Sequence, residues 1–197
     1  DENIREKYKN EPTISLYVKE TGNVKEVNME EYLMGVVAAE MEPTWPENAL
    51  AAQAILARTY TLKKIEDGGV LKRGTDASTD IEEFQAYDPS RINQNVGNAV
   101  KKTRGQVVIH NGKVINAWFH ADGGGKTAAN AGEGLDYNKE ATPYIKSVKN
   151  PGFKITKPEN KYWTAVFPLH VVRERIKNYT GSDPGKIANI SILERGP

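Results

Sequence analysis

One carboxylic acid stands where a core residue is expected. Residues 28–65 read as two helices joined by a Pro-rich corner. Met29, Leu33, Val36 and Val37 mark one face of the first helix by their spacing. The next position on that face is Glu40. Pro43 disfavours helical geometry at Glu42, so the helix should end about there, with Glu40 in its last turn. Burial opposes ionisation of a carboxyl group, and the negative end of a helix opposes it again. An acid so placed would keep its proton and could donate it at neutral pH. The bland alternatives are an ion pair with an arginine, or escape to water past a short helix end. Trp45 follows in the corner and could wall a cleft beside Glu40, its ring offering an apolar face and a polar edge to a sugar. Arg58, on the second helix, could turn back toward Glu40.

The elements that must hold these residues are legible in outline. Asn28 and Glu31 have the spacing of a capping box at the start of the first helix. The second helix begins near Pro46 and ends at Gly68-Gly69. Leu50, Ala54, Leu56 or Ala57, Leu62 and Ile65 can form its buried side. Before the pair, residues 13–18 alternate as a strand, Gly22-Asn23 turns, and 24–27 pair back. Residues 1–11 are charged and read as loose, so the domain is expected over 12–197. A third helix is expected over 92–103, with Ile92, Val96, Ala99 and Val100 inward. Residues 106–109 and 113–119 flank Asn111-Gly112, a hairpin signal.

That hairpin delivers His120 into a loop containing Gly123, Gly124 and Gly125, followed by Lys126 and Thr127. The loop fails as a Walker A motif, because His120 stands where the leading Gly should be. It also fails as a dinucleotide fingerprint, because Ala128 fills the last Gly position. Either its backbone approaches a ligand closely or it simply turns sharply. A structural hydrogen-bonding role suits His120 better than metal ligation. His110 reads as a turn residue and His170 as a helix-surface residue. No G-x-S-x-G is present, so a hydrolase nucleophile elbow has no support. Beyond the loop, 144–148 reads as extended, 161–167 as a strand, 168–179 as a helix and 187–193 as a final strand. Trp118 and Trp163, inside strands, read as core residues.

Composition narrows the classes. The 197 residues carry a formal net charge of +1 with both signs interleaved, so no basic stripe supports nucleic-acid binding. Mean hydropathy is -0.62, and no apolar run is long enough to span a membrane. Cysteine is absent, which excludes disulfides, thiolate chemistry and zinc–sulfur sites.

Taken together, these residues resemble a known family. Residues 31–41, then Trp45-Pro46, 49–54 and 57–60, resemble the stage II sporulation protein D family. Further matches are 76–80 with Gln85-x-Tyr87, 103–105, His120 with 124–127, and 143–148. The family includes peptidoglycan lytic transglycosylases and proteins called amidase enhancers. The resemblance implies an exported enzyme at the cell wall or the outer face of the cytoplasmic membrane. It implies Glu40 as the catalytic acid, and Arg58, Tyr144 and Lys146 as substrate contacts. Peptidoglycan glycan strands are the implied substrate, with a cell-wall amidase and a membrane-anchored protein as candidate partners. No cofactor is implied. Some members bind zinc through His and Cys near the Gln85-x-Tyr87 region, but this chain lacks those Cys. It also has Glu42 where a Pro is common after Glu-Met, and Ala121, Asp122 and Gly123 where small hydroxyl residues are usual. Family members continue beyond an Arg-Gly-Pro such as 195–197, so the domain is expected to be truncated there. The expected fold is α+β, with helices packed on small antiparallel sheets around a glycan-binding cleft. That cleft would be lined by Glu40, Trp45, Arg58, the His120 loop with Gly124 and Gly125, and Tyr144 with Lys146.

Overall fold

A computed structural model describes residues 9–123, 125–156, 158 and 164–191. It is α+β and divides into two compact units, Asp1–Phe119 and His120–Pro197, where the sequence reads as one domain from residue 12 onward. Among the described residues, no helix is long and apolar enough to cross a membrane.

In the first unit, β1 (Thr13–Val18) and β2 (Asn23–Asn28) form an antiparallel pair in which Ile14 faces Val27. The helices α1 (Met29–Glu40) and α2 (Glu47–Glu66) follow, close to the expected bounds. A two-residue strand, β3 (Ala77–Ser78), joins β1 in parallel. The sheet is therefore mixed, not antiparallel throughout. Nothing in two residues of sequence marks such a strand. It is held by side chains, with Ser15 N–H and Oγ both donating to Asp76 Oδ2.

The helix α3 (Gln94–Lys102) is shorter than expected. Asn93 caps it by accepting from the Val96 N–H at 2.9 Å, so Ile92 lies outside the helix and is exposed. The hairpin of β4 (Ile109–His110) and β5 (Lys113–Val114) turns on Asn111 and Gly112, both at positive φ. Those angles fit a two-residue hairpin turn. The strands are only two residues each, and 115–119 run on without pairing as a strand.

The core lies around α1. Met29, Tyr32, Leu33, Val36, Val37 and Ala38 are all buried against Ile14 and Leu16, Leu50 and Ala54, and Val96 and Val100. Burial extends well beyond the expected stripe because a second layer of chain covers α1. The Asn28–Glu31 capping box does not form: Asn28 makes no side-chain cap bond. Glu11 Oε1 accepts from the Glu30 N–H instead, and Glu11 Oε2 binds Arg104 at 2.6 Å. The end of the segment read as loose is thus tied to the helix start.

Residues 67–83 form a clamped loop. Glu83 sits between Arg73 and Lys72, at 2.8 and 2.9 Å. Arg73 also lies over the Tyr17 ring. Hydrogen bonds from Arg73 and then Lys72 hold the Glu83 carboxyl at about 2, below its ordinary 4.5. The folded value is depressed, so the unfolded chain binds more protons between these limits. This contribution to stability is therefore complete above pH 4.5 and is lost as pH falls through about 2. Thermal unfolding followed across that window should show the loss, and Glu83→Gln should flatten it.

In the second unit, the described elements include α4 (Ala131–Leu135), a 3-10 turn at Pro151–Lys154 and α5 (Leu169–Thr180). The helix α5 matches the expected one, but only Val171, Val172 and Ile176 are half-buried, while Leu169 and Tyr179 are exposed. Of the strand expected over 161–167, residues 164–167 are irregular and exposed. Its earlier part, with Trp163, lies outside the described residues. Residues 187–191 pair with no strand, and 192–197 lie outside the described residues.

Candidate functional site

Glu40 is the last residue of α1. The chain leaves at Met41 in extended geometry, one residue before Glu42, the position that Pro43 disfavours for a helix. Its carboxyl group is half-buried, and Oε1 accepts from the Ala86 N–H at 2.9 Å. The donor arrives on a segment, 84–88, that crosses α1 and α2. Phe84 meets Tyr60 edge-on, with ring centroids 5.5 Å apart. Gln85 Nε2 donates to Thr61 Oγ1 at 2.8 Å. Tyr87 stacks on Tyr32 at 5.5 Å, and the Asp88 N–H donates to the Gly35 carbonyl at 3.0 Å.

Two phenols flank the acid. Burial pushes Tyr32 well above its ordinary range, with Gln85 pulling the other way and the Glu40 charge adding to the rise. Burial also raises Tyr60, and Glu40 raises it further. Both therefore remain protonated at neutral pH and can donate their protons in hydrogen bonds. Gln85 lies close to the Tyr32 hydroxyl, yet Tyr32 Oη and Gln85 Oε1 are both buried without a hydrogen bond of acceptable geometry.

The corner beyond Glu40 is pinned from α3. Asn95 Nδ2 donates to the carbonyls of Pro43 and Trp45, at 3.0 and 2.8 Å, and Asn93 Nδ2 also donates to Pro43. Trp45 stands on this fixed corner with 51 % of its surface exposed. Its ring is thus open to a ligand while its backbone is held. Glu42, the departure from the family pattern, pairs with Arg91 at 3.3 Å.

Arg58 does not turn toward Glu40. Its guanidinium is buried and grips Glu30 with two bonds, Nε to Oε1 at 2.9 Å and Nη2 to Oε2 at 2.6 Å. Nη1 donates to the Gln106 carbonyl at 3.0 Å. Glu30 is in the first turn of α1 and Glu40 ends it, so Arg58 is held at the opposite end of the helix. A buried guanidinium requires a carboxylate, and Glu30 offers one beside the positive end of the helix.

The remaining expected site residues belong to the second unit. His120 is exposed. Gly124 lies outside the described residues. Gly125 turns at φ 105° and its carbonyl accepts from the Asn150 N–H. Thr127 and Val148 exchange bonds: the Thr127 N–H donates to the Val148 carbonyl, and the Val148 N–H donates to Thr127 Oγ1. The Gly-rich loop is thereby zipped to the stretch that carries Tyr144, half-buried, and Lys146, exposed. Next to that stretch is a pocket of about 480 Å³ lined by Asn130, Tyr137, Asn138, Glu140, Thr142 and Ile145. Asp122 accepts from Asn150 Nδ2 and Thr156 Oγ1 within the same unit.

The chain has no Cys, and among the described residues no three His, Asp or Glu gather as a metal site needs.

A family model described as SpoIID, Stage II sporulation protein, matches residues 17–110. The chain belongs to this family. The SpoIID match contains Glu40, Trp45, Arg58 and the 84–88 segment, and stops before His120. An uncharacterised protein of Brachyspira hyodysenteriae is 33% identical over 187 residues, covering 86% of this chain and 47% of the relative. Stage II sporulation protein D of Bacillus amyloliquefaciens is 33% identical over 168 residues, covering 75% of this chain and 48% of the relative. The amidase enhancer of Bacillus subtilis is 29% identical over 187 residues, covering 82% and 24%. The chain thus spans about half or less of the length of these relatives.

Three features escaped sequence reading. They are the Ala86 N–H on Glu40, the Asn93 and Asn95 pins, and the Glu30 partner of Arg58. The Gln85-x-Tyr87 motif was the available signal for the first.

Proposed function

We propose that this chain is a lytic transglycosylase of bacterial peptidoglycan with Glu40 as its single acid and base. The observation that carries the reading is the asymmetric hold on the Glu40 carboxyl group. In a neutral carboxylic acid the carbonyl oxygen is the better acceptor. The Ala86 N–H bonds Oε1, which leaves Oε2 to carry the proton and present it. Protonated Oε2 gives that proton to the oxygen linking C1 of N-acetylmuramic acid to C4 of N-acetylglucosamine. The C1–O bond breaks and the N-acetylglucosamine end leaves as an alcohol. The muramoyl C6 hydroxyl attacks C1, and its proton returns to Glu40. The product is a 1,6-anhydromuramoyl end, and no water is consumed.

Trp45 offers a stacking face for a sugar on the corner beside Glu40. Lys146, Tyr144 and the His120–Gly125 loop are proposed as further glycan contacts. Arg58 acts from a distance by fixing the start of α1. Such a protein would work outside the cytoplasmic membrane, where the glycan lies, and a membrane-anchored partner would hold it there.

A second reading is a non-catalytic, glycan-binding activator of a cell-wall amidase, supported by the relative named amidase enhancer. Incubation with purified glycan strands, with and without stem peptides, and mass spectrometry of the ends separates the two. Anhydromuramoyl ends that accumulate with time are expected. Their absence, together with stimulation of a wall amidase, would transfer the assignment to the second reading.

A further inference from the structure

A backbone N–H cannot be placed by its own side chain, so something else must hold Ala86 against Glu40. The 84–88 segment is irregular and gains nothing from a helix or strand ladder. Its position depends on the contacts of its neighbours. Upstream, Gln85 is bonded to Thr61 on α2. Downstream, the Tyr87 ring lies nearly parallel to Tyr32, 11° between planes, with Lys25 over the ring at 5.5 Å.

The Tyr87 ring also rests directly on the backbone of Gly35. A Cβ at Gly35 would lie 2.3 Å from Tyr87 Cε2 and 2.7 Å from Cδ2, closer than any side chain tolerates. Only glycine lets the ring descend this far. That descent brings the Asp88 N–H within 3.0 Å of the Gly35 carbonyl. Gly35 sits in the middle of α1, where glycine is less favourable than alanine. The close seat of Tyr87 is what this glycine permits.

We infer that Tyr87 is a positioning residue for Glu40: seated on Gly35 and Tyr32, it keeps the Ala86 N–H on the carboxyl oxygen and so decides which oxygen donates. This rests on the reading of Glu40 as the acid. The motif Gln85-x-Tyr87 then has a physical meaning, since each named side chain fastens one side of the residue whose N–H is used.

The test uses Tyr87→Ala, Tyr87→Leu and Tyr87→Phe in the full chain, with circular dichroism to verify folding. Leucine keeps apolar volume without the flat ring, so it serves if alanine prevents folding. The first readout is amide hydrogen exchange at Ala86. The second is kcat and KM on purified glycan strands. In the alanine or leucine variant the Ala86 amide should exchange at least about tenfold faster, as local opening there becomes easier. The kcat should fall by about tenfold to a hundredfold with KM little changed, as for a misplaced catalytic group. Phenylalanine should restore both, because the stack needs no hydroxyl. An Ala86 amide that stays protected without the ring overturns the inference. So does an amide that is released while kcat holds. If the parent protein cleaves no glycan, the proposed function falls, and amide exchange still decides whether Tyr87 places Ala86.

Discussion

Glu40→Gln should reduce formation of anhydromuramoyl ends by about a hundredfold to ten-thousandfold, the range for loss of a positioned general acid and base. The substitution is chosen for what it preserves. Glutamine Oε1 can still accept from the Ala86 N–H, now at 2.9 Å from Glu40 Oε1, so no buried donor is orphaned. The thermal midpoint should therefore stay near that of the parent. What is lost is the ionisable proton, because an amide neither delivers one to a glycosidic oxygen nor takes one from a C6 hydroxyl. Glycan binding should survive, since Trp45 is untouched. Full turnover in Glu40→Gln, with product ends unchanged, would remove Glu40 from the chemistry. Unchanged stimulation of a wall amidase by the same variant would support the activator reading.

The legible parts of this molecule are those whose physics is local. The α1 stripe, the Pro43 stop and the Asn111-Gly112 turn each follow from neighbours a few residues apart. Glu40 at the end of α1 was visible for that reason. Its hydrogen-bond donor was not, because Ala86 lies 46 residues away and contributes only its backbone. Residue type says nothing about a backbone N–H. The capping of α1 by Glu11, 19 residues upstream, defeated the Asn28–Glu31 reading in the same way. A two-residue strand such as β3 has no period to detect. Arg58 illustrates a different limit. Sequence shows that a cation is present on α2, but three carboxylates lie on α1, and packing alone selects Glu30 over Glu31 and Glu40.

That competition sets the second large effect. Arg58→Met should destabilise the protein by about 3–5 kcal/mol, the usual cost of breaking a buried ion pair by removing one partner. The loss falls on Glu30, whose side chain is 12% exposed and would keep only weak company from the Gly105 N–H at 3.4 Å. The positive end of α1 offsets part of this, so the lower figure is the better expectation. Arg58→Lys should fall between, since an ammonium keeps the charge but not the two-pronged fit to Glu30. Glu30→Met alone should also be costly, because it strands the guanidinium. The double variant should be less destabilised than the two single losses added together, as expected for residues in direct contact. Urea unfolding of the four proteins measures this coupling. If Arg58 instead served the substrate directly, Arg58→Met would leave the urea midpoint where it was and lower turnover alone. The fork on Glu30 argues for the opposite order, with folding lost first and activity lost because of it.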